Sequence, residues 1–468
     1  MPTWLRLPAE LRNPILDMVA TLAPKGSRPR HACVNKEWQV AMERHTFREI
    51  EVTSCADSFS KFATIVTGKR RIYVQQIRFR AMLCHGIVER GEEYYSDFEY
   101  TKEERDKDFS DAIWKLFRLL HKWYTPKLMA ARLSRGIGLE IIACHQTKED
   151  REDEDRHRPT TYQLRVRSEL RLRLCDDFIA NAKSMIAEIV TSLSVTKSNE
   201  RDLSAEAITT LLKCLPRVEH LYYEPRAKNR NQQHENRLAY LLKGWPRSLQ
   251  SIEFYRDKPI HQPNPLYPTA HLYHNEDDPY DPINWVALGS ALAHFTASHN
   301  LQHFSSIDGP DALHFLSADV IPYPPPDLVF IRDEQGGPNM RSTERPPESP
   351  KLFTPVWNKL QTLTLTSYHL SEQGDPNPLL LHAARSAKRM KSLMMMKISH
   401  KDYTHSAFFR YWKEGTTPHA KYKTTFRPKQ ITSEVKDAWA KTARWSPGNR
   451  DPNGFTFRVV RMSRPSET

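Results

Sequence analysis

The sequence predicts an α/β chain: a short N-terminal helical module, then a degenerate solenoid of alternating helices and strands. Three observations predict it. One phrase, apolar-x-x-apolar-x-apolar, recurs at Val218-x-x-Leu221-x-Tyr223, Leu249-x-x-Ile252-x-Phe254, Leu301-x-x-Phe304-x-Ser306, Leu360-x-x-Leu363-x-Leu365 and Met390-x-x-Leu393-x-Met395. Apolar helical stretches at 203–215, 238–242, 285–295 and 379–387 precede four of the five. The first forty residues have helical spacing but are too short to close a core, since ordering backbone costs about 1–2 kcal/mol per residue. They must dock on their own chain or on a partner.

Taken in order, Leu7, Leu11, Ile15, Leu16 and Val19 carry the spacing of one helical face. Pro8 fits a first turn. Pro14 either interrupts this helix or starts it, with Asn13 as cap. The link at 21–30 is rich in Pro, Gly and Arg, and a second helix is expected over 32–42, with Val34, Trp38 and Met42 four apart. A strand at 47–52, a helix at 58–66 and a strand at 74–79 follow by periodicity. Next come an amphipathic helix at 109–123, with Asp106, Asp108 and Asp111 read as its acidic first turn, and a buried strand at 139–143. The charged run 148–158 reads as a loop, 179–193 as a further helix, and the proline-rich 259–268 and 321–350 as loops or insertions. The expected divisions are 1–48, 49–310, the insertion 311–350, and a repeat-like 351–468 with a basic end. Repeat spacings of 31, 52, 59 and 30 residues make the solenoid degenerate. Each unit leaves an apolar face that its neighbour must cover.

At 468 residues the chain can bury a large core, and no run of eighteen apolar residues suggests a membrane span. Residence in the cytoplasm, the nucleus or both is expected. Six cysteines without a C-x-x-C pair read as reduced thiols. The net charge of +13 is concentrated at one end: after position 384 stand 19 Lys/Arg against 6 Asp/Glu. Such an end, with Trp412, Trp439 and Trp445, can attract nucleic acid or an acidic partner, or can be a solvated face.

Catalytic signatures do not emerge. Neither a nucleophile elbow nor a phosphate-binding glycine loop is present. Cys84-His85 and Cys144-His145 are neighbours in sequence, whereas a catalytic pair converges in space. His271, His274, Glu276, Asp277 and Asp278 have metal-ligand chemistry, but no distant pair completes a tetrahedral set. No enzyme activity, metal or cofactor is expected.

Leu7-Pro8-x-Glu10-Leu11, Ile15-Leu16, Val19, Cys33-Val34 and Trp38 together resemble the F-box, which attaches substrate receptors to the adaptor subunit of cullin-based ubiquitin ligases. The helix–strand phrases are similar to those of leucine-rich repeats. Phrases at 215–225, 245–249, 355–363 and 407–411 resemble a family of filamentous-fungal F-box proteins. The resemblance implies a substrate-recognition subunit of a ubiquitin ligase, active in protein degradation without chemistry of its own. Leu7, Pro8, Leu11, Ile15, Leu16, Val19, Val34 and Trp38 would bind the adaptor and, through it, cullin, while the leucine-rich-repeat-like body would hold a target protein. The alternative is a basic protein that binds nucleic acid or an acidic partner and whose F-box has degenerated.

Overall fold

Four of the five recurring apolar phrases fold as the lead-in and first residues of a strand. The computed structural model describes residues 4–83, 102–125, 136–145, 171–196, 202–225, 232–256, 285–299, 301–318, 354–401, 405–445 and 455–462. The charged run 148–158, the proline-rich 259–268 and 321–350, and the cluster from His271 to Asp278 lie outside them. Within the described residues the protein is α/β, with twelve mostly parallel strands and thirteen α-helices. The chain divides into two units, Met1–Tyr222 and Tyr223–Thr468.

The first unit opens with α1 (Ala9–Leu22), α2 (Arg28–Ala32) and α3 (Lys36–Thr46). Then β1 (Glu49–Thr53), β2 (Gln76–Leu83), β3 (Ile137–His145) and β4 (Val190–Val195) lie side by side in parallel. β5 (His220–Tyr223) follows β4 in the sheet order and ends at the division. Parallel neighbours need long crossovers. These contain α4 (Ala56–Ile65) and α5 (Arg70–Tyr73), then α6 (Lys102–His121), α7 (Asp176–Asn181) and α8 (Ala205–Lys213). Phe109, Ile113, Leu116, Phe117 and Leu120 line the buried face of α6, each worth about 1.5–3 kcal/mol of apolar burial.

In the second unit β6 (Ser251–Tyr255), β7 (His303–Ile307), β8 (Thr362–Thr366) and β9 (Met395–Lys401) are parallel in chain order. β10 (Ser406–Glu414) runs antiparallel to β9 and to β11 (Thr417–Thr424), and β12 (Thr456–Arg461) is parallel to β11. A two-residue turn joins β10 to β11, and its first residue, Gly415, has φ 60°, a backbone region that favours glycine. The helices α9 (Gln232–Leu241), α10 (Trp285–Ser298), α11 (Ala312–Leu316), α12 (Pro376–Lys388) and α13 (Ser433–Arg444) pack each on the next. One sheet face is buried: Phe254 meets Tyr223 and Trp245, Phe304 stacks on Phe315 at 5.2 Å, and Phe409 and Tyr411 hold Trp439 at 4.9 and 5.1 Å. The alternate residues of β6 to β11 are half-buried or exposed.

Several expectations need correction. The helix expected over 32–42 begins at Lys36; Asn35 caps it by accepting the Trp38 amide at 3.1 Å, so Val34 lies in the preceding turn. Pro14 neither breaks nor starts α1 but sits inside it. Glu10, whose carbonyl loses its partner there, and Pro14 are both exposed to water. The helix expected at 179–193 ends at Asn181, and Val190–Val195 is a strand that buries Val190, Leu193 and Val195. Its β-branched residues suit a pleated surface better than a helix. α6 starts at Lys102, which puts Asp106 beyond the first turn, where its carboxylate accepts the Arg173 amide at 2.8 Å. The last recurring phrase is shifted by three residues. Met396 pairs with Leu363 and Ile398 with Leu365, so the structural equivalent is Leu393-x-x-Met396-x-Ile398. Met394, Met395 and Met396 are chemically alike, so composition cannot say which of them faces the core.

Candidate functional site

The N-terminal helices form a small module whose closure depends on α3. α3 packs on α1 and on α2, and Ala41 and Met42 are buried beside Leu16 and Ala20 of α1. Arg12 pairs with Glu37 at 3.1 Å, and His45 lies 3.5 Å from Asp17. Trp38 is wedged between Trp4 and His31, with ring centroids 5.8 and 6.1 Å away. The other end of α3 is tied to the body: Glu43 accepts two hydrogen bonds from Arg70, the shorter 2.8 Å, and Arg70 also lies over Phe47. Burial pushes the Glu43 carboxyl up, but hydrogen bonds from Arg70 and Gln39 outweigh it and hold the group below its ordinary value.

α1 has two apolar sides. Residues 11, 15, 18 and 22 fall along one stripe at helical periodicity, while 16 and 20 fall on another. Leu16 and Ala20 face α3 and are buried. Leu11, Met18 and Leu22 remain 53%, 55% and 76% exposed, and Ile15 among them is half-buried. Val34, in the turn before α3, is 60% exposed. A shallow groove of about 220 Å³ between α1 and α3 has Leu16 and Ala41 along it but is rimmed by Asn13, Asp17, Lys36, Glu37 and Arg44. Its polar rim does not suit an apolar anchor.

The eight residues expected to bind an adaptor therefore differ in accessibility. Leu11, Val34 and Pro8 are exposed. Leu7, Ile15 and Val19 are half-buried, and Leu16 is spent inside the module. Trp38 is half-buried and holds the module closed. Sequence reasoning missed Met18 and Leu22, although their spacing from Leu11, seven and eleven residues, could have revealed a second face.

Elsewhere among the described residues several reactive side chains are committed to the fold. Asp311 accepts the Leu313 amide, the Ser367 hydroxyl and the Tyr368 amide, all within 2.9 Å. Arg256 and Glu235 form a buried ion pair. Burial pushes the Cys214 thiol up to about 12, a thiol too weakly acidic to serve as a nucleophile. Cys144 is buried against the Met82 sulfur at 3.4 Å. Among the described residues no group of three His, Cys, Asp or Glu side chains could hold a metal ion. Among the same residues no helix is long and apolar enough to cross a membrane.

Residues 244–464 match a family of unknown function, DUF6546. The match lies within the second unit and spans β6 to β12. No curated protein matches the chain.

Proposed function

We propose that this protein is the substrate-recognition subunit of a cullin-based ubiquitin ligase and has no chemistry of its own. The observation that carries the reading is the stripe Leu11, Met18 and Leu22, with Val34: four apolar side chains more than half exposed on a module otherwise closed by α3. Contiguous exposed apolar surface commonly marks an interaction site, and a few such anchors supply most of an interface's binding energy. The F-box-like residues Leu7-Pro8-x-Glu10-Leu11 and Ile15-Leu16 lie in and just before the same helix. The adaptor subunit would cover the stripe, with cullin beyond it.

The strand-and-helix body, on this reading a degenerate leucine-rich-repeat-like solenoid, would hold the target protein. Support comes from the chain-order rows of parallel strands in each unit and from the row α9 to α13. Transfer of ubiquitin to a target held there would gain from proximity. Such a receptor would work in the cytoplasm, the nucleus or both.

The test is a pull-down of the full chain with purified adaptor. Wild type is expected to retain the adaptor at micromolar concentration, and Leu11→Asp with Leu22→Asp to lose it with an unchanged melting temperature. Trp38→Ala is expected to weaken retention by loosening the module, visible as a lower melting temperature. Failure of wild type to retain the adaptor rejects the proposal.

A further inference from the structure

On the side of the second unit's sheet away from Phe409, Tyr411 and Trp439, the register assembles a row of cations. Lys397 of β9 pairs with Arg410 of β10, Arg410 with Lys421 of β11, and Lys421 with Arg458 of β12. Strands lie about 4.8 Å apart, so the row extends about 14 Å. Lys397, Arg410 and Arg458 are exposed and Lys421 is half-buried. Among the described residues none of the four forms an ion pair. Burial, followed by the charges of Lys423 and Arg458, lowers the Lys421 pKa. Among the described residues carboxylates are peripheral: the row continues from Lys397 through Thr364 and Ser305 to Glu253 on β6, and Glu414, 82% exposed, lies 3.9 Å from His419.

Aromatic rings flank the cations on the same face. Trp412 stacks on His419 at 5.2 Å in one neighbouring row, and Phe408 pairs with Lys423 in the other. Trp412 and Phe408 are half-buried, with Arg410 lying 5.3 Å from the Trp412 ring and Lys423 5.7 Å from the Phe408 ring.

We propose that this face of β9 to β12 binds single-stranded nucleic acid, with Lys397, Arg410, Lys421 and Arg458 on the phosphates and Trp412 and Phe408 under the bases. Charge complementarity calls for a polyanion, and the rings choose among polyanions. An acidic peptide would use the cations and gain little from ring faces. A duplex hides its base faces and is read by elements that enter a groove, which a broad sheet does not do. Unstacked bases pair naturally with rings set among cations, because every base presents a π-face. A base that takes a ring displaces Arg410 or Lys423 toward the backbone phosphates.

The full chain would be titrated against a fluorescent twelve-nucleotide single strand, in DNA and RNA forms, by anisotropy. Binding is expected at low salt, with log K falling against log salt at a slope of about −3, from about −0.7 per phosphate and four cations. Arg410→Glu with Lys397→Glu should weaken binding more than tenfold. Trp412→Leu, which keeps apolar bulk, should weaken it about tenfold by removing a stacking ring. Both variants carry a melting-temperature check, and Arg458→Glu alone, on the exposed β12, serves if the double variant unfolds. A duplex of equal length should bind at least tenfold more weakly, and polyglutamate should compete poorly. Four results overturn the proposal: no binding at low salt, equal affinity for duplex, polyglutamate competing as well as the oligonucleotide, or no effect of Trp412→Leu.

Discussion

The two units expose sheet faces with opposite charge arrangements. In the first unit Glu51, Arg78 and Glu140 stand in one row across β1, β2 and β3. Arg78 pairs with Glu140 at 2.8 Å, Arg80 with Glu51 at 2.7 Å, and the Glu140 hydrogen bond and charge raise the Arg78 pKa further. In the second unit the corresponding kind of row holds Lys397, Arg410, Lys421 and Arg458 with no acid among them. Side chains alternate between the two faces of a strand in both units, whether the strands run parallel or antiparallel, so alternation alone does not explain the contrast. A face whose charges neutralise one another has little attraction left for an outside ion. A face of like charges costs stability through cross-strand repulsion, and an arriving polyanion removes that cost.

The largest expected effect separates the faces by function. Charge reversal at Lys397 and Arg410 should reduce oligonucleotide affinity more than tenfold, whereas Arg78→Gln with Arg80→Gln should leave it unchanged; equal losses in the two would erase the comparison. Stability should respond in the opposite sense. Arg78→Ala leaves the Glu140 carboxylate, only 13% exposed, with the Thr196 hydroxyl at 3.4 Å but without its guanidinium partner, and should cost about 1 kcal/mol, read as a melting point lower by about 2–4 °C. Arg410→Glu sets an acid between Lys397 and Lys421 and should raise stability by about 0.5 kcal/mol at low salt, fading as salt screens the pairs.

The smallest expected effect is on pH dependence. Glu43 has a folded pKa below its ordinary 4.5, so the unfolded chain binds the extra proton. Its contribution is present above pH 4.5 and lost as pH falls through the folded value, and Arg70→Ala should flatten that acid limb. Lys421 has a folded pKa below its ordinary 10.5. Again the unfolded chain binds more protons, so stability should rise with pH toward 10.5, and Lys421→Gln should remove that rise. Melts over the two pH ranges check both signs.

Much of the strand pattern was legible because burial alternates with period two: Ile252 and Phe254, Phe304 and Ser306, Leu363 and Leu365 are buried where the recurring phrase puts them. The phrase misplaced β9, where three consecutive methionines leave the register to the partner strand. It also could not anticipate β10 and β11, a hairpin that departs from the helix-then-strand order. At the N-terminus the apolar residues were visible, but not their division between a face against α3 and an exposed stripe, because only packing decides which side of α1 is covered.

The sequence by itself determined that the chain alternates helices with strands, that the apolar residues of its first helix recur at helical spacing, and that its net positive charge lies after position 384. Periodicity and composition are local properties and can be read locally. Only the tertiary structure decided that Lys397, Arg410, Lys421 and Arg458, up to sixty-one positions apart in the chain, stand side by side beside Trp412 and Phe408. Strand register fixes that neighbourhood, and a one-residue slip would turn each of these side chains to the other face.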